Sequence, residues 1–261
     1  MKFFYFSVWL LFAGSAAAAA SPSCGGRPIK LAFFEYGLYF SHGKGIDRDL
    51  ADALQRKSGC RFDLVVQARA RSWHDLKSGQ LDMALSALSS PERDEFAWFE
   101  PYLWIKNVAV LPRDVAQGVE DSASFLARPQ LVMGVVRGFK HGEEQDGWID
   151  RLRRENRVVE YVDADQLFRN LAAHRVDGVI ADSLVYRHML KPAELEAVTV
   201  QDWTPAASGA PVNVVLSKAR FPKAEADAWR GMIGEMVADG TIRTILRHYL
   251  PDDEADKLTR P

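Results

Sequence analysis

Two charged side chains stand at positions where chemistry and local structure compete to explain them. In "SSPERDEFAWFEPY", Ser90 and Pro91 have the signature of a helix N-cap and first helical position. A serine oxygen accepts an orphan backbone N–H, and proline has none to lose. Glu92 suits the positive end of a helix dipole; Arg93 does not, at a penalty of a few tenths of a kcal/mol. Arg93 is then either a solvated surface residue or the partner of an anion that the same helix end attracts. Asp182 closes the apolar run "VDGVIA" and precedes "SLVYRHML", so it is either the N-cap of that helix or a carboxylate held for a ligand. Glu35, beside Tyr36, is the obvious carboxylate that could act as an acid or base. There is no Ser/His/Asp order and no phosphate-binding glycine loop, and two cysteines and six histidines lack metal-ligand spacing. No metal and no cofactor are expected.

These groups need a scaffold, and composition bounds it. The chain has 261 residues, 48% of them hydrophobic, enough for two compact lobes. A formal charge of -2, a pI near 6.3 and no long basic run argue against nucleic acid or an anionic membrane as partner. Residues 1–20 have the layout of a secretory signal: Lys2, an apolar run from Phe3 to Phe12, then small residues with cleavage expected after Ala20. Cys24 lacks the leucine three positions earlier that a lipoprotein signal would supply. Export to the periplasm as a soluble protein is the expectation. There, Cys24 and Cys60 can form a disulfide, since each just precedes a predicted strand; two unpaired thiols are the other reading.

Strand and helix alternate along the chain. "IKLAFF" reads as a strand, and "GIDRDLADALQRKSG" as a helix with Ile46, Leu50 and Leu54 on one face and Gly59 as its stop. "RFDLVVQA" is a strand, "SWHDLKSG" a short helix capped by Ser72, and "LDMALSAL" a buried strand. The order repeats in "QLVMGVV", "GEEQDGWIDRLRREN", "RVVEYV", "DADQLFRNLAAHR" and "VDGVIA". Such alternation predicts α/β lobes with mainly parallel sheets. "LKSGQLDMALS" (76–86) and "LAAHRVDGVIA" (171–181) match in type, which places Ala87 and Asp182 at equivalent strand ends, where open α/β sheets bind ligands. Two extended crossovers are expected, "NVAVLP" (107–112) and "PVNVVLS" (211–217), the arrangement of a hinge. The division is then lobe 1 over 21–110, lobe 2 over 111–210 and a return to lobe 1 over 211–261.

"GKGIDRDLADAL", "WHDLKSGQLDMALSALSSPERDEFAWFEPY", "RVDGVIAD" and "DGTIRTILRHYL" occur in this order over nearly all of the mature chain. They resemble the solute-binding proteins of polar amino-acid ABC transporters, bacterial extracellular solute-binding protein family 3, with the type II periplasmic binding fold. The resemblance implies a monomeric receptor that closes two lobes on a small solute and passes it to a membrane permease. It assigns Arg93 to the ligand's carboxylate and Asp182 to its ammonium. Tyr36, Trp73, Ser86, Ala87 and Ser89 join the expected ligand set, with Gly138, Phe139 and Lys140 from the first loop of lobe 2. Many members carry a threonine after that glycine; here Phe139 and Lys140 follow Gly138. The run from Asp82 to Arg93 is also one residue shorter than in many members. Tyr36, Tyr39 and Phe40 can pack a ligand or a core. Phe96, Trp98, Phe99 and Tyr102 are assigned to structure. Two alternatives stand beside the receptor: an enzyme on the same scaffold, resembling cyclohexadienyl dehydratases and using Glu35, and a sensory or accessory module.

Overall fold

In the computed structural model, which describes residues 22–259, the strand–helix alternation is realised twice. The first half runs β1 (Ile29–Phe33), α1 (Ile46–Ser58), β2 (Phe62–Val66), α2 (Arg69–Lys77), β3 (Met83–Ala87), α3 (Pro91–Asp94) and β4 (Ala97–Ile105). The second runs β5 (Val108–Pro112), α4 (Arg113–Ala116), α5 (Ser122–Leu126), β6 (Met133–Val136), α6 (Glu143–Arg154), β7 (Val158–Tyr161), α7 (Ala164–Ala172), β8 (Gly178–Ala181), α8 (Ser183–Met189), α9 (Pro192–Glu196) and β9 (Val198–Gln201). The chain then returns through β10 (Ala210–Ser217) to α10 (Lys223–Ala238), α11 (Thr241–Arg247) and α12 (Asp252–Leu258). The expected signal segment lies outside the described residues.

The two sheets share one topology. Their strand orders are β2-β1-β3-β10-β4 and β7-β6-β8-β5-β9. In each, three strands joined by helices are parallel, and the strand that arrives from the other half enters antiparallel beside the third. The sheets are therefore mixed, although their three-strand βαβ parts are parallel as the alternation requires. Met83 pairs with Leu31 on β1, and Gly178 pairs with Met133 on β6, so the internal match seen in the sequence is a match of register.

The apolar runs expected as crossovers are strands. Asn107–Pro112 contains β5, which pairs with β8 and β9, so the chain crosses at Lys106–Asn107, a few residues before the expected boundary at 110. Pro211–Ser217 lies in β10, at the centre of the first sheet between β3 and β4. Short linkers suffice to cross because the strands themselves carry the chain to each lobe.

Helix positions follow apolar spacing and caps. Ile46, Leu50 and Leu54 of α1 are fully buried, and Gly59 ends the helix in a left-handed conformation with its N–H on the Gln55 carbonyl. Helix α2 begins four residues earlier than Ser72 implied: Ala68 is the N-cap, and Ser72 lies inside the helix with its hydroxyl on the Ala68 carbonyl. Cys24 and Cys60 form a disulfide at the amino ends of neighbouring parallel strands, with Cα atoms 5.2 Å apart.

The bridge closes a loop over a sequence separation of 36 residues. Loop-closure entropy of the unfolded chain then sets its contribution at about 3–4 kcal/mol. Denaturant unfolding of the Cys24→Ala/Cys60→Ala double variant is expected to show that loss, and the oxidised wild type should carry no thiol accessible to label after denaturation. Two labelled thiols would reject the bridge.

Candidate functional site

The carboxyl ends of β1, β2 and β3 face the loop after β6 and the end of β8, and between them lies a cavity of about 20 Å³. Arg93, Arg69, Tyr36, Tyr39 and Ser86 reach it from the first sheet's side, and Phe139, Lys140 and Asp182 from the second. Leu88, Ile105 and Val212 supply apolar wall, and Asn107 sits at the crossing. The volume holds little more than one water.

Arg93 is 6% exposed, so the surface reading of this residue does not hold. Its N-cap is as expected: the Ser90 hydroxyl accepts from the Arg93 N–H. The guanidinium donates to the Leu88 carbonyl and, across the cleft, to the Gly138 carbonyl, both at 2.7 Å. It stacks on Trp73, whose indole lies 3.8 Å from the guanidinium carbon. The indole N–H donates to the same Gly138 carbonyl at 3.0 Å. Phe96 and Phe99 pack on Trp73, so these aromatics hold the arginine's support in place.

Gly138 is needed for this contact. Its φ is +81°, and a Cβ there would lie 3.0 Å from the Ala70 backbone of α2. On the other flank the Leu38 N–H donates to the Leu184 carbonyl at 2.9 Å. The two sheets are thus tied at both sides of the cavity.

Arg69 was not singled out in the sequence. It is the first residue of α2 and 3% exposed, donating to the Leu85 and Ser86 carbonyls at 3.0 and 2.8 Å and lying over Phe34 at 4.2 Å. Burial pushes Arg69 down to about 10. Burial, reinforced by the like charge of Arg69, pushes Arg93 to about 9; both remain cations at neutral pH. Ser86 has a φ of 53°, a left-handed conformation that is strained for a serine. Its hydroxyl donates to buried Asp47 at 2.6 Å, and the Tyr102 hydroxyl donates to the same carboxylate at 3.2 Å. Tyr102, assigned to structure, therefore also reaches the site.

Asp182 is the N-cap of α8, accepting from the Leu184 N–H at 2.8 Å, and it also accepts from the Tyr39 hydroxyl at 3.4 Å. The capping reading holds, and the capping carboxylate also lines the cavity. Three expected residues stand elsewhere. Ala87 is buried in β3 with its carbonyl on the Asn213 amide, Ser89 lines an outer groove with Pro91 and Asp146, and Trp73 supports the site from beneath Arg93. Phe139 fills the centre, 4.4 Å from the Tyr36 ring. Glu35 accepts from the His42 N–H and faces a separate groove with Val66 and Val162. Among the described residues, no cluster of three or more His, Cys, Asp or Glu could hold a metal, and no helix is long and apolar enough to cross a membrane.

Residues 34–252 match the bacterial extracellular solute-binding proteins, family 3. The chain belongs to this family. Solved structures share its fold. An ancestral arginine-binding protein bound to arginine superposes with a TM-score of 0.72 at 19% identity, covering 86% of this chain and 98% of its own. The arginine-, lysine-, histidine-binding protein ArtJ from Geobacillus stearothermophilus gives 0.71 at 16%, covering 88% and 100%. A histidine kinase sensor domain with similarity to periplasmic binding proteins also gives 0.71 at 15%, covering 90% and 98%. A search of curated proteins gave no match. The family and most of these neighbours are binding proteins, and as a family member the chain is a binding protein, not an enzyme.

The site makes stability depend on pH. Burial raises Asp47 and Asp182 to about 7, against about 3.9 for an unfolded aspartate. The folded state therefore favours their neutral form. Their contribution is full below about pH 4 and is lost as pH rises to about 7. Thermal melts should show the wild type losing stability across that window relative to Asp47→Asn, which cannot ionise. A difference in Tm that stays flat from pH 4 to 7 would mean that Asp47 is ionised throughout.

Proposed function

We propose that the protein is a periplasmic receptor that captures a small carboxylate or amino-acid-like solute between its lobes and delivers it to an ABC permease. The observation that carries this reading is the convergence of Arg93 from one sheet and Asp182 from the other on a single cavity. A guanidinium fork matches a carboxylate, and its present acceptor, the Gly138 carbonyl, is a neutral group that an anion outcompetes. A solute touching both lobes favours the closed arrangement, because only there are both sets of contacts made. The binding partners named for the similar structures, arginine among them, support a solute of this size. The division into lobes at the two chain crossings supports closure about a hinge near Lys106 and residues 202–209, with the signal segment directing export. The protein acts as a monomer in this reading.

Calorimetry with a panel of carboxylates and amino acids tests it. Arg93→Ala is expected to weaken binding by about 2–5 kcal/mol, the loss typical of a buried charge pair missing one partner. Asp182→Asn should keep the helix cap and raise the melting temperature more at pH 7 than at pH 4, since asparagine caps about as well and carries no buried ionisation. Undiminished affinity in Arg93→Ala would remove Arg93 from the site.

A further inference from the structure

Arg69 and Arg93 are both buried, both stack on Trp73, at 4.9 and 3.8 Å from the ring, and both line the same cavity. Each spends two donors on backbone carbonyls. A guanidinium has five N–H donors, so each has further donors with no protein acceptor among the described residues. Neither forms an ion pair with a carboxylate there, although most other arginines of the chain do. Lys140 adds a third cation from the opposite lobe.

Two like charges buried side by side without a counter-ion are a strongly unfavourable arrangement for the protein alone. Arg69 also opens a helix, at the first position of α2, where the dipole repels a cation. Among the described residues no carboxylate near the site pairs with either arginine: Asp146 and Glu92 act on Arg93 only from a distance, and Asp146 accepts from the His141 N–H instead. Asp47 lies behind Ser86, and its proton is favoured by burial. Asp182 already accepts from its helix N–H and from the Tyr39 hydroxyl, and burial favours its neutral form, so it is a weak partner for an ammonium.

Resting on the receptor reading above, we propose that the solute is a dianion without an ammonium group: two acid groups on a short apolar framework, one on Arg93 and the other on Arg69. The apolar middle of the molecule meets Tyr36, Leu88 and Phe139. A solute larger than the present cavity is held with the two sheets slightly further apart than here, taking the place of the Arg93–Gly138 contact.

Four compounds separate the terms. Glutarate has two carboxylates, butyrate has one, and L-glutamate adds an ammonium to the glutarate skeleton; phosphoglycolate replaces one carboxylate with a phosphate. Calorimetry on the mature, disulfide-bonded protein is expected to show glutarate or phosphoglycolate binding at least about tenfold more tightly than butyrate and L-glutamate. Which of the two binds better identifies the second acid group. Arg69→Gln should collapse the glutarate-to-butyrate ratio towards one, and Arg69→Lys, which keeps the charge and loses the fork, should preserve part of it. A ratio unchanged in Arg69→Gln overturns the assignment. Should that variant not fold, the wild-type ranking and Arg69→Lys decide. Binding of L-glutamate or L-arginine in preference to every dianion overturns the dianion and leaves the receptor intact. No binding by any carboxylate or amino acid overturns both.

Discussion

The burial of two guanidiniums beside one cleft constrains everything around them. A buried cation needs acceptors, and the strands offer them only where their hydrogen-bond ladders end. Arg69 takes the Leu85 and Ser86 carbonyls because Ser86 adopts a left-handed conformation at the end of β3, redirecting the backbone. Arg93 takes a carbonyl from its own loop and one from the other lobe. Trp73 supplies the π-surface between the two cations, and Phe96 and Phe99 fix its orientation. Replacing Arg69 or Trp73 would therefore disturb more than one contact at the site.

The shared topology of the sheets explains why these groups meet. In each half, parallel β-strands joined by helices end at the same edge, and the strand from the other half inserts beside the third. Strand ends β3 and β8, at equivalent registers, carry the groups that lead to Arg93 and Asp182. The Gly138 carbonyl, the Tyr39–Asp182 contact and the Leu38–Leu184 hydrogen bond then cross between the two sheets. These hydrogen bonds are few, and the Phe139 ring adds apolar contact across the cleft by packing on Phe34 and Tyr36.

Much of this architecture was legible because local signals agreed with tertiary ones. The alternation of apolar strands and amphipathic helices, the Gly59 stop and the two cysteines before neighbouring strands each had one dominant physical reading. The two extended crossovers are themselves strands, β5 and β10, and only pairing shows to which sheet such a segment belongs. Arg69 was missed for a local reason: Ser72 looks like a cap, which puts the helix start four residues late and leaves Arg69 outside it. With the start at Ala68, Arg69 shows the same anomaly as Arg93, a cation at a helix's positive end. The role of Tyr102 was hidden because an aromatic in a buried strand is nearly always packing, and its hydroxyl's partner, Asp47, is 55 residues away.

Phe139, directly after Gly138, sets the electrostatics of the cleft as well as its shape. A hydroxyl would add a donor to a solute's carboxylate; a phenyl ring adds none and removes water from the guanidiniums that remain. Arg69 lies 5.5 Å from the Phe139 ring centroid, so the ring also covers the charge that it desolvates. In a drier cleft each charge-assisted hydrogen bond to an incoming anion is stronger, while an ionised Asp182 becomes harder to sustain. One apolar side chain in the loop therefore moves both charge balances in the same direction, strengthening the call for anions at the arginines and weakening the carboxylate that would hold an amine.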